Sequence, residues 1–327
     1  MIKSIVTRGL SKTYSYYEKE AGLSGSLKSL FRANKVEVKA VREIDLEVNV
    51  GELVGFIGPN GAGKTTTLKM LCGILYPTSG HLEVNGFSPF RRDKAFLKSI
   101  TFLSGQRNRL FWDLPASEYF EFCKVVYEIP KETFKRNINR LVEMAEIGDI
   151  LKTPQRKLSF GQRKRCELVA SLLHEPKVIF LDEPTNAMDL INAKKLRDFI
   201  KEQGKEGNRT IIITSHNMSD IENVCDRVVI INRGNIVFDN PIEILKRMHG
   251  FRRQIRIFFS GPWEVEEIAM LGDIIKQNDR EVILEVEPEK TLTVVSHLFQ
   301  TYPVKDISIE GPGLERIIES IYLQPDK

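Results

Sequence analysis

The stretch Gly58-Pro59-Asn60-Gly61-Ala62-Gly63-Lys64-Thr65 constrains this chain more than any other eight residues in it. It fits G-x-x-x-x-G-K-[ST], follows the apolar run Leu53 to Ile57, and opens onto the helical pattern Thr66 to Leu71. Strand, glycine-rich turn and helix in that order make a phosphate cradle. The glycines let backbone N–H groups turn inward, the helix N-terminus adds positive potential, Lys64 reaches the β- and γ-phosphates, and the Thr65 hydroxyl can ligate Mg²⁺. A dinucleotide fold is disfavoured, because Gly61 and Gly63 are followed by Thr66 where G-x-G-x-x-G needs glycine. Downstream, Lys177 to Leu181 is a buried strand pattern ending in Asp182-Glu183. Acids at the carboxyl edge of a parallel sheet stand beside such a loop, where Asp182 can organise Mg²⁺ through its water shell and Glu183 can polarise an attacking water as general base.

The chain has 327 residues, and 42% are apolar, enough for two cored domains rather than a disordered polymer. Its 48 Lys and Arg against 44 Asp and Glu leave a net charge of +4, which gives no general electrostatic reason to bind nucleic acid. No apolar run approaches the ~18 residues a membrane span needs. The opening Met1 to Gly9 lacks the apolar core of a signal peptide, so the expected location is the cytoplasm. Cys72, Cys123, Cys166 and Cys225 are widely separated and read as reduced core thiols.

Strands are expected near Ile2 to Arg8, Glu43 to Val48, Leu53 to Ile57, His81 to Val84, Lys177 to Leu181, Thr210 to Thr214 and Arg227 to Asn232. Continuous apolar runs such as Val178 to Leu181 and Ile211 to Ile213 mark parallel strands covered on both faces, so the fold class is α/β. Asn240-Pro241 before Ile242 to Met248 resembles a helix start with proline at its first position, closed by Gly250. A domain boundary is placed there, giving a nucleotide-binding domain over 1–245 and a small accessory or regulatory domain over 246–327. The latter reads β-α-β-β-α-β, a ferredoxin-like α+β unit.

With these residues in hand, the sequence resembles the ATP-binding cassette (ABC) transporter ATPases. Leu158-Ser159-Phe160-Gly161-Gln162 is similar to the signature LSGGQ, departing from it only at Phe160, which puts in doubt only the fine geometry of that contact. Gln106 matches the Q-loop glutamine, Ala187-Met188-Asp189 the D-loop, and His216 the switch histidine. Tyr14 is similar to the aromatic that stacks on adenine, with Tyr16 and Tyr17 close by as alternatives. The resemblance covers about residues 1 to 240. It implies a P-loop NTPase fold, a RecA-like core with a helical subdomain, that takes ATP and Mg²⁺. Gly58, Pro59, Asn60, Gly61, Ala62, Gly63, Lys64, Thr65 and Thr66 would cradle the phosphates; Thr65, Gln106 and Asp182 would serve the metal; Glu183, His216, Gln106 and Lys64 would be catalytic. It further implies a head-to-tail dimer of two copies, or of this chain with a homologous ATPase, in which Ser159, Gly161, Gln162 and Asp189 of one chain complete the site of the other.

The same resemblance implies integral-membrane permease subunits as partners, with the chain peripheral on the inner face of the membrane. The stretch Ser15 to Lys39 is longer than usual and carries Leu27, Leu30 and Phe31 at helical spacing beside Lys28, Arg32 and Lys35. That basic amphipathic helix either contacts a permease or membrane surface or docks on its own domain. A similar insertion in polysaccharide-exporter ATPases points toward an exporter. In Ser104 to Phe120, Phe111 and Trp112 stand beside Arg107 and Arg109, an interface composition or else rings packed into the helical subdomain. This run and Thr153-Pro154 most resemble drug- and antibiotic-resistance exporter ATPases of bacteria. The other reading is a soluble ABC-type ATPase acting on nucleic acid or ribosomes. It is disfavoured by the single cassette and by the short separation of phosphate loop and signature. No nucleic-acid partner is expected.

Overall fold

The computed structural model describes residues 2–18, 34–105, 110–206, 209–246, 252–311 and 314–323. Five strands supply the parallel part of a six-stranded sheet: β3 (Leu53–Ile57), β5 (Ile100–Ser104), β6 (Val178–Asp182), β7 (Thr210–Thr214) and β8 (Arg227–Asn232). With the edge strand β9 (Asn235–Pro241) the order is β5-β6-β7-β3-β8-β9. Every residue of β3, β6 and β7 is buried, as expected for apolar runs covered on both faces. A second, antiparallel sheet has the order β2-β1-β4, from β1 (Lys3–Glu18), β2 (Asn34–Asn49) and β4 (Ser79–Val84).

The helix after the phosphate loop, α1 (Lys64–Leu71), joins the two sheets. Its Leu68, Met70 and Leu71 share one core with Ile5, Ile44 and Val84 of the antiparallel sheet and with Phe56 and Phe180 of the parallel one. The helix α2 (Lys94–Ser99) adds the fully buried Phe96 to that core. Helices α3 (Ala116–Val126) and α4 (Lys131–Met144) fall between β5 and the signature helix α5 (Phe160–Leu172), where the helical subdomain is expected. The helices α6 (Leu190–Glu206) and α7 (Met218–Val224) precede β7 and β8.

β1 and β2 are each 16 residues long, well beyond Ile2 to Arg8 and Glu43 to Val48. Their outer halves pair from Thr13↔Lys39 to Glu18↔Asn34, after register shifts near Leu10 and Lys12. Cross-strand backbone bonds carry that extension, whose side chains are exposed or only partly buried although Val36, Val38 and Ala40 alternate with Lys35, Glu37 and Lys39. Lys35, expected on an amphipathic helix, instead lies in β2 and pairs its ammonium with Glu37 at 2.7 Å. Leu27, Lys28, Leu30, Phe31 and Arg32 lie outside the described residues, as do Gln106, Arg107 and Arg109. Phe111 packs edge-on against Tyr119 and Phe122, with ring centroids 5.3 and 5.5 Å away, and Trp112 lies under the Arg163 guanidinium at 5.2 Å. Both Phe111 and Trp112 remain about half exposed.

The chain divides into two compact units, Met1–Asn240 and Pro241–Lys327, slightly ahead of the boundary expected at 245. Pro241 closes β9, and helix α8 begins at Ile242 (Ile242–Lys246), so the proline ends a strand rather than opening the helix. In the second unit β10 (Arg253–Phe259), α9 (Val265–Ala269), β11 (Asp273–Gln277), β12 (Glu281–Val286), α10 (Thr291–Thr301) and β13 (Val304–Glu310) follow the expected order. Its four strands pair antiparallel as β11-β12-β10-β13, the split βαβ arrangement of a ferredoxin-like unit. Ile255, Ile257, Val282, Leu284 and Leu298 form its core. The closing helix α11 (Leu314–Leu323) buries Leu314, Ile317 and Ile318 and packs near α8.

Candidate active site

The phosphate loop leaves β3 at the carboxyl edge of the sheet, between β7 and β8. Two of its glycines are dictated by neighbours. A Cβ at Gly58 would sit 2.2 Å from the Ile231 carbonyl oxygen, and one at Gly63 would sit 2.5 Å from that of Ala40. Gly63 also has φ +110°, a left-handed backbone that L side chains rarely adopt. Gly61, at φ +81°, has open space around it. Lys64 Nζ folds back on its own loop and donates to the Gly58 carbonyl at 2.6 Å and that of Pro59 at 3.2 Å. Burial pulls the Lys64 pKa below the usual lysine range, while the charges of Glu183 and Asp182 act to raise it.

Opposite the loop, Thr65 Oγ1 lies 3.1 Å from both carboxylate oxygens of Asp182. Thr214 Oγ1 donates to Asp182 Oδ1 at 2.7 Å and accepts the Glu183 amide at 3.0 Å, so one hydroxyl at the end of β7 aligns both acids at the end of β6. Glu183 has φ +56°, a strained conformation for a non-glycine residue and one that recurs at functional sites. Its carboxylate accepts from His216 Nδ1 at 2.5 Å. Gly105 packs so closely that a Cβ there would stand 2.0 Å from the Glu183 carbonyl oxygen, and its amide donates to Asp182 O at 2.7 Å. The residue before Gln106 is thereby anchored to the two acids.

These groups share one cleft of about 1070 Å³. Asn60, Gly61, Ala62, Gly63, Lys64, Thr65 and Thr66 line it from the loop, Asp182, Glu183 and His216 from the strand ends, and Tyr14 from β1. Lys12 Nζ stands 5.4 Å from the Tyr14 ring centroid. Tyr16 is half exposed and does not line the cleft among the described residues. If Tyr14 is the adenine platform, Tyr14→Ala raises the KM for ATP by about tenfold while Tyr16→Ala leaves it unchanged, since base stacking on an aromatic ring is worth about 1–3 kcal/mol. Steady-state hydrolysis against ATP concentration checks this, and equal effects of the two changes would remove the assignment.

The signature residues are organised elsewhere. Ser159 is the N-cap of α5: its Oγ accepts the Gln162 amide at 3.2 Å, and the Gln162 side chain accepts the Ser159 amide at 2.9 Å. Gly161 is buried against Asn192, whose Cγ would lie 2.7 Å from a Cβ at that position. Asn192 is held in turn by Asp189, which accepts its backbone and side-chain N–H groups at 2.9 and 2.6 Å. Signature and D-loop therefore form one interlocked piece. Among the described residues lining the cleft, Ser159, Gly161, Gln162 and Asp189 are absent. Phe160, the departure from LSGGQ, has the Lys164 ammonium 5.7 Å from its ring centroid.

Residues 41–186 match the family described as ABC transporter, and residues 251–310 match the EvrA-like ABC transporter C-terminal domain. The bacitracin transport ATP-binding protein BcrA of Bacillus licheniformis is 32% identical over 276 residues, 84% of this chain and 85% of that protein. The ABC transporter ATP-binding protein NatA of Bacillus subtilis (strain 168) is 31% identical over 215 residues, 66% of this chain and 87% of that protein. The chain is an ABC transporter ATP-binding protein. A solved dimeric ATP-binding cassette in a post-hydrolysis state, bound to ADP and Pi, shares the fold of this one with a TM-score of 0.60 and 21% identity, covering 73% of this chain and 98% of that one.

This ABC ATP-binding protein therefore binds and hydrolyses ATP. The residues present suit Mg²⁺, since Thr65 and Asp182 bring hard oxygen donors together, and a cation held largely by water and substrate phosphates needs only one or two protein ligands. Among the described residues no group of three or more His, Cys, Asp or Glu offers a competing metal site. Thr214, Asn186 and Gly105 join or buttress the ABC site without having been singled out in the sequence. Thr214 carried a weak signal, a hydroxyl residue ending an apolar strand two positions before His216. Cys72, Cys123, Cys166 and Cys225 are all buried and form no disulfide, as expected.

Proposed function

We propose that this chain is the ATP-hydrolysing subunit of a membrane exporter, working on the inner face of the membrane as a head-to-tail dimer beneath separate permease subunits. Lys64 and the loop amides hold the β- and γ-phosphates, Tyr14 carries the adenine, and Thr65 and Asp182, with Gln106, hold Mg²⁺, which when bound neutralises phosphate charge. Glu183 takes the proton of the attacking water and His216 steadies both. Ser159, Gly161, Gln162 and Asp189 serve the γ-phosphate of the opposing copy. The observation that carries the dimer is the separation of the capped signature at Ser159 from the cleft holding Thr65, Asp182, Glu183 and His216. Each chain then owns half of each of two sites.

The partner reading is supported by the described helices, none of which is long and apolar enough to cross a membrane, and by the half-exposed Phe111 and Trp112 between β5 and α3. Export is supported by the likeness to drug- and antibiotic-resistance ATPases. Purification of the tagged chain from native membranes should bring down a multispanning protein in stoichiometric amount, and that complex should hydrolyse ATP faster than the chain alone. ATP hydrolysis stimulated by RNA or DNA in a salt-sensitive way, with no membrane protein attached, would overturn the reading.

A further inference from the structure

Asp220 lies in α7, four residues after His216, and its side chain is completely buried. Three side chains donate to it. Oδ2 accepts from the Thr185 hydroxyl and from Ser215 Oγ, the latter at 2.7 Å, and Oδ1 accepts from Arg197 Nη1 at 3.0 Å. Thr185 stands two residues after Glu183, and Ser215 immediately before His216. One buried carboxylate thus ties down both chain segments that carry the two groups in contact at 2.5 Å. Ser215 Oγ also accepts the Asn217 amide at 3.0 Å, so the turn bearing His216 is held on both sides. Arg197 belongs to α6, in whose first turn Asn192, held by the preceding Asp189, packs against Gly161.

A carboxylate with no access to water is costly unless its oxygens are fully engaged, and here its three donors come from three different segments: the turn after β6, the turn after β7, and α6. General-base catalysis depends on placement: an error near 1 Å between base, water and phosphate can cost about 100-fold in rate. We propose that Asp220 is a positioning residue for ATP hydrolysis, fixing the Glu183 to His216 distance through Thr185 and Ser215 while Arg197 ties that setting to the helix behind the D-loop. It touches neither nucleotide nor water itself. The inference rests on the assignment of Glu183 and His216 to the chemistry.

The test uses the full-length chain with Thr185→Val, which removes the hydroxyl at nearly constant shape, Ser215→Ala, and the conservative Thr185→Ser. Asp220→Asn serves as the direct variant. Thermal unfolding and ATP affinity are measured beside kcat. Thr185→Val and Ser215→Ala should lower kcat by about 10- to 100-fold, leave the KM for ATP within about twofold, and keep the native fold; Thr185→Ser should restore kcat. In a Glu183→Gln background, Thr185→Val should add nothing, because both changes remove one function. A normal kcat in Thr185→Val and Ser215→Ala, or an equal further loss in the Glu183→Gln background, overturns the positioning role. Full turnover by Glu183→Gln alone instead overturns the general-base assignment, a separate result read from a separate protein.

Discussion

Glu183→Gln is expected to bind ATP with near-normal affinity and to lower kcat by about two to four orders of magnitude, the range that positioned general bases contribute. The amide keeps the size of the carboxylate and can still meet His216 Nδ1 through its oxygen. Its backbone contacts, the amide bonds to Thr214 O and Oγ1 at 3.1 and 3.0 Å, do not depend on the side chain. What is lost is the ability to take a proton from water. Because closure on ATP no longer leads to hydrolysis, the variant should also accumulate as an ATP-bound dimer, visible as a doubling of mass by light scattering when ATP is added. Turnover within about threefold of the unmodified chain would remove Glu183 from the role of base.

Gly63→Ala is expected to abolish ATP binding, whereas Gly61→Ala should weaken it modestly. Both positions have left-handed backbone, which costs a non-glycine residue about 1–2 kcal/mol. They differ in what a methyl group would meet. At Gly63 it would lie 2.5 Å from the Ala40 carbonyl oxygen, a backbone atom of β2 that cannot step aside, so the loop and the start of α1 must shift together. At Gly61 it meets nothing within 4 Å. Isothermal titration with ATP on both variants measures the difference, and similar affinities would mean that the loop is rebuilt when phosphate binds.

Much of this architecture was legible in the residues because burial writes a direct pattern. The runs Val178 to Leu181 and Ile211 to Ile213 are apolar throughout and Leu53 to Ile57 is broken only by Gly55, and the structure buries every residue of the three strands that contain them. The phosphate loop was legible for a different reason, since Gly58 and Gly63 are required by contacts with the Ile231 and Ala40 carbonyls that permit no side chain, and Gly61 by its left-handed backbone. β5 escaped notice because Ile-Thr-Phe-Leu-Ser is short and mixes hydroxyls with apolar residues, and its strand state depends on the neighbour β6. The outer part of the β1–β2 pair escaped notice although Val36, Val38 and Ala40 alternate with Lys35, Glu37 and Lys39, because the helical spacing of Leu27, Leu30 and Phe31 governs the reading of Ser15 to Lys39, and little of the outer pair is buried. Asp220 could not be found at all from spacing, since its partners Thr185, Ser215 and Arg197 meet only after three segments fold together.

The posture of Lys64 bears on selectivity. Its ammonium is held by the Gly58 and Pro59 carbonyls, so part of its charge is engaged by the loop's own dipoles. An incoming anion must displace those two bonds before it gains the amine. A lone inorganic ion, making few contacts in exchange, recovers little of that loss, whereas a triphosphate spread across the loop amides recovers it several times over. A ligand that presents several phosphates to these loop amides therefore gains more from them than a single phosphate ion does.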